Sequence, residues 1–561
     1  VGELFKRLKA YPSVTMELVG ASLFANILAL ASPLFVIQVL NRYVSHGVDS
    51  TLYTLTAGVL IAILFEISFR QIRLKIATAL SQPFDRANAG GTYEVLLSAR
   101  GDVLAQMSAG QKREAAQASD AIQQAYSAPN MAAYFDLPFA FVFLFALVML
   151  SPPLAMIASI FVLIAIGLGW MNLKALKGPT EGLQGQMAQR QGLFDSAISD
   201  PDTVRAFTAE AFLTKRWNRM QDTLDGVRAT IAGRQGGVQN LTQGIQALMS
   251  TAIIATGGVL VVAGNLDVGL LIGANILAAR TLAPVVRITQ AAGMLVNAKA
   301  ARGTLENLMR IPREARQGAA LGAYKGGVEL KDLGFAYQGQ PTPLFESLSL
   351  KLEPGALFVV SGANGTGKST LARLLAGLMA PSRGQILVDG VELTQVAPEW
   401  WRRQIVYLPQ EPGFFSGTVR ENILAYNPDL DEKGLNAVIR DAGLEAFFSR
   451  SREGFDMILQ AGGRNLPLGI RRRLAMARAL ASDGRLVIMD EPTEGLDGEG
   501  TQQMGRVMNA LSKKGCTIIA LSHDPNIIKG ALHVLDLNVK PVPRLLQVKG
   551  ADETAQQKGG A

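Results

Sequence analysis

The stretch Gly362-Ala363-Asn364-Gly365-Thr366-Gly367-Lys368-Ser369-Thr370 combines glycines, one lysine and hydroxyl side chains at a spacing suited to holding a phosphate. It follows the apolar run Leu357-Phe358-Val359-Val360-Ser361 and precedes Leu371-Ala372-Arg373-Leu374-Leu375-Ala376. That order predicts strand, loop and helix, and it fits G-x-x-x-x-G-K-[ST]. Glycines let backbone N–H groups turn inward and approach an anion closely. The positive end of the following helix points at the same place. Lys368 can reach the β- and γ-phosphates of a nucleotide, and the Ser369 hydroxyl can ligate Mg²⁺.

Further along, Leu486-Val487-Ile488-Met489 runs into Asp490-Glu491. A wholly apolar strand belongs inside a parallel sheet, which delivers its C-terminal acids to the ligand crevice. There Asp490 would hold Mg²⁺ through water, and Glu491 would act as general base toward the attacking water. Cys516–Ser522 reads as another buried strand, with His523 at its end in position to contact a γ-phosphate. Ahead of the loop, short strands are expected at Val328-Glu329-Leu330, Gly334-Phe335-Ala336-Tyr337 and Leu348-Ser349-Leu350-Lys351-Leu352. Tyr337 on such a strand could stack on adenine.

These residues need a scaffold, and 561 residues exceed what one core organises. Apolar residues make up 49% of the chain and charged ones 18%; the excess lies in the first half. Apolar runs cover Leu18–Val39, Thr51–Phe69, Ala132–Leu150, Pro153–Trp170, Gly244–Gly264 and Val268–Pro284. About 20 residues at 1.5 Å each cross a roughly 30 Å hydrocarbon layer, so six spans are expected. The first run is too long for a signal peptide and lacks a small-residue cleavage site.

Charge orients the spans. The short segments 41–50, 151–152 and 265–267 hold one basic residue, Arg42. The long segments carry Arg70, Arg73, Lys75, Arg86, Lys112 and Arg113, then Lys174, Lys177, Arg205, Lys215, Arg216 and Arg219. The positive-inside rule puts the long segments and both termini in the cytoplasm. Segments 70–130 and 171–243 have few helix breakers and read as long polar helices, with bends near Leu96–Asp102 and Pro201–Thr208 as docking points for the second half. Glu66 is placed to pair with Arg70. Arg280 could line a pathway or snorkel to the interface.

The net charge of +8 sits beside apolar segments, which suits a membrane rather than nucleic acid, and no nucleic-acid partner is expected. One cysteine, Cys516, excludes an internal disulfide and a cysteine metal cluster. Only His46, His523 and His533 are available for a histidine metal site. The fold class expected is a six-helix transmembrane α domain with long cytoplasmic helical extensions, followed by an α/β P-loop nucleotide-binding domain. The boundaries are an N-terminal cytoplasmic segment 1–17, a transmembrane domain 18–311, a connector 312–327, a nucleotide-binding domain 328–540 and a disordered tail 541–561.

In this order the motifs resemble those of an ATP-binding cassette exporter half-transporter, over about residues 15–540. The resemblance implies ATP and Mg²⁺ as ligands and ATP hydrolysis coupled to transport. It makes Tyr337 the adenine stacker and Gly362–Thr370 the phosphate loop. Gln410, in Tyr407-Leu408-Pro409-Gln410, becomes the glutamine that senses Mg²⁺ and the membrane domain. It makes Asp490 the metal aspartate, Glu491 the catalytic glutamate, Asp497 the dimer-contact loop and His523 the switch histidine. Phe414-Phe415-Ser416-Gly417-Thr418-Val419-Arg420-Glu421-Asn422-Ile423 is similar to exporters rather than importers.

Three membrane segments, Leu30–Phe35, Phe135-Asp136-Leu137-Pro138-Phe139 and Leu271–Pro284, resemble bacterial type I secretion permease/ATPases. That resemblance implies an inner-membrane protein exporting an unfolded protein with a periplasmic adaptor and an outer-membrane channel, in contact with membrane lipid. No peptidase-like domain precedes the first run in this sequence, so leader cleavage is not expected. Export of a lipid, peptide or small molecule is an alternative, and so is an ATP-binding regulatory subunit with little turnover.

The family's L-S-G-G-Q signature is expected ahead of Arg471-Arg472-Arg473. Here the residues are Leu466-Pro467-Leu468-Gly469-Ile470. In the family this segment of one cassette covers the nucleotide on a second. Pro467 removes a hydroxyl and an N–H, Leu468 adds a side chain where backbone should approach, and Ile470 lacks an amide. Losing one preorganised donor to a transition-state anion costs about 3–4 kcal/mol, a hundredfold or more in rate. A homodimer would have two impaired sites. A heterodimer with a second half-transporter would have one sound site, because Lys368, Asp490, Glu491 and His523 are intact. A second departure is Glu494-Gly495-Leu496-Asp497, where the family more often has S-A-L-D.

Overall fold

The structure, a computed structural model, describes residues 2–44, 47, 49–314, 318–337, 339–340, 342–531 and 533–547. Contacts divide the chain into two units, Val1–Ala99 with Val103–Arg313, and Glu314–Ala561 with Arg100–Asp102.

The first unit is helical. Its elements are α1 (Gly2–Ala10), α2 (Pro12–Leu28), α3 (Ala31–Gln38) leading into a π-helical turn at Val39–Val44, α4 (Asp49–Ser98), α5 (Gly101–Gln106), α6 (Ala109–Ala125), α7 (Ala128–Leu150), α8 (Pro152–Ser199), α9 (Pro201–Ala206), α10 (Glu210–Val262), α11 (Val268–Gln290) and α12 (Ala292–Met309). Six stretches are long and apolar enough to cross a membrane: Pro12–Val44, then α4, α7, α8, α10 and α11. Among the described residues these contain five of the six apolar runs whole and the sixth, Gly244–Gly264, up to Val262. Apart from α5, α6 and α9, the polar segments are not separate helices. Each of α4, α8 and α10 continues its apolar run without a break, since little but Pro83 in α4 and Pro179 in α8 interrupts their helix-forming sequence. The chain bends at Ala99-Arg100 and at Asp200, where the Asp200 carboxylate accepts from the Thr203 N–H and starts α9. Of the expected loop 41–50, positions 45, 46 and 48 lie outside the described residues, as do 315–317 of the connector.

Residues 1–17 are more than a leading segment. Helix α1 turns Arg7 fully inward, against Asp85 at 3.0 Å and between the rings of Phe84 and Tyr126 at 5.4 and 4.9 Å. A cation removed from water needs such a partner and such faces.

Two further polar groups lie among the spans. Glu66 pairs with Arg70 at 2.8 Å, as its spacing predicts, and also with Arg280 of α11 at 3.7 Å. The two charges that looked like separate questions are therefore partners. Asp136 of α7 is buried and accepts from Arg73 of α4 at 2.5 Å, Arg287 of α11 at 3.3 Å and Asn26 of α2 at 3.0 Å. One carboxylate thus joins four helices.

Close packing of α11 against α3 and the π-helical turn uses small residues. The Gly269 N–H donates to Asn41 Oδ1 at 3.1 Å. A Cβ on Gly269 would lie 2.3 Å from that oxygen and 2.8 Å from the Ile37 carbonyl oxygen, which is backbone. Gly269→Ala should therefore cost about 1–3 kcal/mol through overpacking. A lower thermal unfolding midpoint in detergent would show it, and an unchanged midpoint would contradict the packing described.

The second unit is α/β. Its strands are β1 (Val328–Phe335), β2 (Phe345–Leu352), β3 (Leu357–Ser361), β4 (Arg383–Val388), β5 (Val391–Glu392), β6 (Ile405–Leu408), β7 (Gly417–Thr418), β8 (Ile458–Leu459), β9 (Leu486–Asp490), β10 (Thr517–Leu521), β11 (His533–Asp536) and β12 (Arg544–Gln547). One sheet has the order β12-β11-β3-β10-β9-β6, parallel from β11 to β6. A second, antiparallel sheet has the order β2-β1-β4-β5. Leu486–Asp490 and Thr517–Leu521 are buried at every position, as both-face coverage requires.

Three expectations change here. The two strands expected at 328–330 and 334–337 are one strand, β1, with register shifts either side of Leu333. Tyr337 is not on a strand, because pairing ends where the Leu344 N–H donates to the Phe335 carbonyl at 2.7 Å. The stretch 541–561 is not wholly irregular: Arg544–Gln547 pairs antiparallel with β11, while 548–561 lie outside the described residues.

Candidate functional site

Strand β3 is central in its sheet, between β11 and β10, and it releases the loop Gly362–Gly367 at its C-terminal end. Gly365 and Gly367 take φ of +82° and +108°, a region that L side chains disfavour. Gly367 also has the Leu344 side chain 2.6 Å from where a Cβ would stand. The helix Lys368–Leu375 starts at once, so its unpaired N–H groups face the loop. Thr366 Oγ1 donates to the Ala363 carbonyl at 2.8 Å, and the Ala363 N–H donates to Asn538 Oδ1 at 2.9 Å. Lys540 Nζ donates to the Thr366 carbonyl at 2.8 Å. Asn538 and Lys540 brace the loop from a distant part of the chain, and no spacing in the sequence announces them.

Lys368 is buried. Its Nζ donates to the Gly362 carbonyl at 2.6 Å and lies 3.2 Å from Glu491 Oε1. Glu491 is also buried, and it leaves β9 with φ of +47°. A non-glycine residue in that region is costly, of order 1–3 kcal/mol, and such positions cluster at functional sites. The Glu491 N–H donates to the Leu521 carbonyl at 2.8 Å, which ties it to β10. Because β9 and β10 are parallel and in register to Asp490↔Leu521, Glu491 and His523 emerge side by side. His523 Nδ1 lies 3.1 and 3.0 Å from the two Glu491 carboxylate oxygens. Lys368, Glu491 and His523 are thus brought together as their order in the sequence predicts.

A divalent cation has donors to meet. Asp490 Oδ1 is buried without a hydrogen-bond partner. Burial pushes its carboxyl above the usual carboxylate range, against the Ser369 hydrogen bond that lowers it. Ser369 Oγ lies 3.3 Å from Gln410 Oε1. A carboxylate, a hydroxyl and an amide oxygen form an all-oxygen donor set that suits Mg²⁺ rather than a soft metal.

Tyr337 sits at the edge of this group. Its hydroxyl is 2.8 Å from Thr370 Oγ1, and its ring meets Phe335 edge-on with centroids 5.0 Å apart. The Leu466–Ile470 stretch opens the helix Leu468–Leu480. Leu466 is buried, Pro467 is the N-cap, and Leu468 is exposed. A Cβ on Gly469 would meet only the Gly495 carbonyl, at 3.9 Å, so the kept glycine answers no crowding within this chain. Asp497 caps the helix Gly498–Lys513 through the Gly500 N–H at 2.7 Å and pairs with Arg473 at 2.6 Å. Its carboxyl is held below the usual range by the Gly500 N–H and by Arg473. Glu494, which no motif reading explained, takes hydrogen bonds from Gln410 and Arg472.

Comparison with known proteins gives matches in both units. The model of the ABC transporter transmembrane region matches residues 16–285, and that of the ABC transporter matches residues 345–494. The toxin RTX-I translocation ATP-binding protein of Actinobacillus pleuropneumoniae is 27% identical over 533 residues, 94% of this chain and 74% of that protein. The leukotoxin translocation ATP-binding protein LktB of Mannheimia haemolytica is 26% identical over 535 residues, with the same shares covered. Among solved structures, a bacterial Atm1-family ABC exporter with ATP bound superposes with a TM-score of 0.82, covering 98% of this chain and 99% of that one at 18% identity.

Proposed function

Because this chain belongs to the ABC transporter family, with a transmembrane region and an ATPase domain on one polypeptide, we propose that it is the inner-membrane permease and ATPase of a type I protein secretion system. It is a multi-pass membrane protein with an exporter fold, and it couples ATP hydrolysis to transport. The observation that carries the finer reading is the Lys368–Glu491–His523 cluster, set in a chain that matches toxin-translocating proteins over 94% of its length. The proposed cargo class is an unfolded polypeptide; the names of those relatives, toxin- and leukotoxin-translocating proteins, support a protein cargo. The long helical extensions and the ATPase domain lie in the cytoplasm, and a periplasmic adaptor and an outer-membrane channel complete the path.

In this reading the phosphate loop Gly362–Thr370 wraps the β- and γ-phosphates with backbone N–H groups, and Lys368 places its charge on them. Ser369, Gln410 and Asp490 would hold Mg²⁺, which would supply neutralising charge to the phosphates. Glu491 orients and deprotonates the attacking water. His523 contacts the γ-phosphate and keeps the Glu491 carboxylate aimed. Tyr337 receives the adenine. Two such chains, or this chain and a second half-transporter, close on nucleotide through the Leu466–Ile470 and Asp497 segments. ATP binding draws the pair together and hydrolysis releases it, which alternates the access of the spans.

The Leu466–Ile470 segment makes the heterodimer the preferred assembly. Turnover of the chain alone in lipid should be low, and the combined change Pro467→Ser, Leu468→Gly and Ile470→Gln should raise it about a hundredfold by restoring donors to the γ-phosphate. Co-expression with the products of neighbouring genes should raise turnover without those changes. Turnover of roughly 1–10 s⁻¹ by the unaltered chain alone, a usual enzyme rate, would show that the segment closes a competent site and make a homodimer the default.

A further inference from the structure

Glu494 stands where the resembling family more often has serine, and its surroundings assign it a task. The Gln410 side chain has two ends of nearly equal size and opposite hydrogen-bonding character. Its Oε1 faces the Ser369 hydroxyl at 3.3 Å, and its Nε2 donates to Glu494 Oε2 at 3.2 Å. An ionised carboxylate only accepts, so it is satisfied by the nitrogen end alone. A hydroxyl at this position accepts and donates, and would select neither end. With the amide reversed, Gln410 would present N–H groups toward Ser369 and oppose a carboxylate with its own oxygen.

The carboxylate that sets this choice is itself fixed. Arg472 Nη2 donates to Glu494 Oε2 at 3.1 Å, and Arg472 Nη1 reaches the carbonyl oxygens of Glu494 and of Glu491, the latter at 3.4 Å. The Glu494 N–H donates to the Glu491 carbonyl at 3.2 Å, and Gly495 turns the chain with φ of +67°. The Gln410 amide and the Arg472 guanidinium thus both donate to the same carboxylate oxygen. Arg472 belongs to the helix that the Leu466–Ile470 segment opens. Glu494 therefore joins the metal-facing glutamine and the helix behind the altered signature through its carboxylate, and the backbone of the candidate base through its N–H.

We propose that Glu494 is a positioning residue for nucleotide-bound Mg²⁺, holding the Gln410 amide with its oxygen toward Ser369. The inference rests on the assignment of Gln410 and Asp490 to the metal side of the site. Outer partners that orient a metal ligand change metal affinity about 10–100-fold when removed. The role does not require turnover, so it is read by binding.

The test uses the full chain in lipid nanodiscs with a non-hydrolysable ATP analogue, and Mn²⁺ as a paramagnetic probe titrated by electron paramagnetic resonance. Glu494→Ala should weaken Mn²⁺ binding about tenfold and leave metal-free nucleotide affinity within about twofold. Glu494→Gln both accepts and donates, selects neither end of the Gln410 amide, and should weaken Mn²⁺ binding about as much as Glu494→Ala does. In a Gln410→Ala background, Glu494→Ala should add no further loss. A loss that persists in that background would overturn the proposal, because Glu494 would then act through Arg472. Native Mn²⁺ affinity in Glu494→Ala, beside weakened affinity in Asp490→Asn, would overturn it while leaving the metal assignment in place. Native affinity in both variants would remove the metal assignment and the proposal together.

Discussion

Glu491→Gln is expected to bind nucleotide as the native chain does and to lose turnover about a thousandfold, within the 10²–10⁴ range for a positioned general base. The change is nearly isosteric, and the buried position leaves little freedom for another geometry. The glutamine oxygen can still accept from Lys368, which lies 3.2 Å from Glu491 Oε1. What disappears is the basicity beside His523. Nucleotide affinity and ATPase turnover, measured in lipid on one preparation of the chain with its partner half-transporter, separate the two effects. A variant that turns over at the native rate would mean that Glu491 is not the base, and would favour an ATP-binding regulatory subunit. A variant that loses nucleotide as well as turnover would point to a collapsed Lys368 contact rather than to lost chemistry.

Asp136→Ala should be the most damaging single change in the membrane unit. It leaves Arg73 buried with no carboxylate, and removing one member of a buried ion pair costs about 3–5 kcal/mol. The thermal midpoint of the membrane unit should fall by roughly 5–10 °C. Arg287→Ala should cost far less, because that side chain is 54% exposed and its water-facing partnership is screened. Replacing Asp136 and Arg73 together by leucine and methionine should recover much of the loss, since a buried pair often exchanges for apolar residues at little cost. Equal damage from Asp136→Ala and Arg287→Ala would contradict the burial that separates them.

These two sites also mark how far the sequence could be read. The phosphate loop, the acidic end of β9 and His523 were legible because strand, loop and helix signals are local. The arrangement of Lys368, Glu491 and His523 then follows from parallel strands in adjacent order. The six apolar stretches were legible for the same reason. Asp136 was visible only as part of a family-like phrase, because its partners Asn26, Arg73 and Arg287 lie on three other helices. The bond between Glu66 and Arg280 was hidden likewise, since α4 and α11 are remote in sequence. Glu494 was noticed as a departure but could not be interpreted, because its meaning depends on Gln410 and Arg472 arriving from two other segments. Pairing with β11 organises Arg544–Gln547, a stretch whose small and polar surroundings promised nothing. Local pattern names elements and loop chemistry; partnerships between distant segments become visible only once the chain is folded.

The unbroken helices have a mechanical consequence. The 53 residues of α10 span about 80 Å at 1.5 Å per residue. About 30 Å of that suffices for the hydrocarbon layer, which leaves an arm of roughly 50 Å. A tilt of about 10° at the membrane end displaces the far end by roughly 9 Å, more than a full helical turn. A continuous helix with no proline trades angle for distance, and the exchange also runs backward. A stroke of several ångströms at the tip becomes a few degrees of rotation among the spans, delivered with multiplied force. Shortening α10 by whole turns would change that gearing while leaving every chemical group in place.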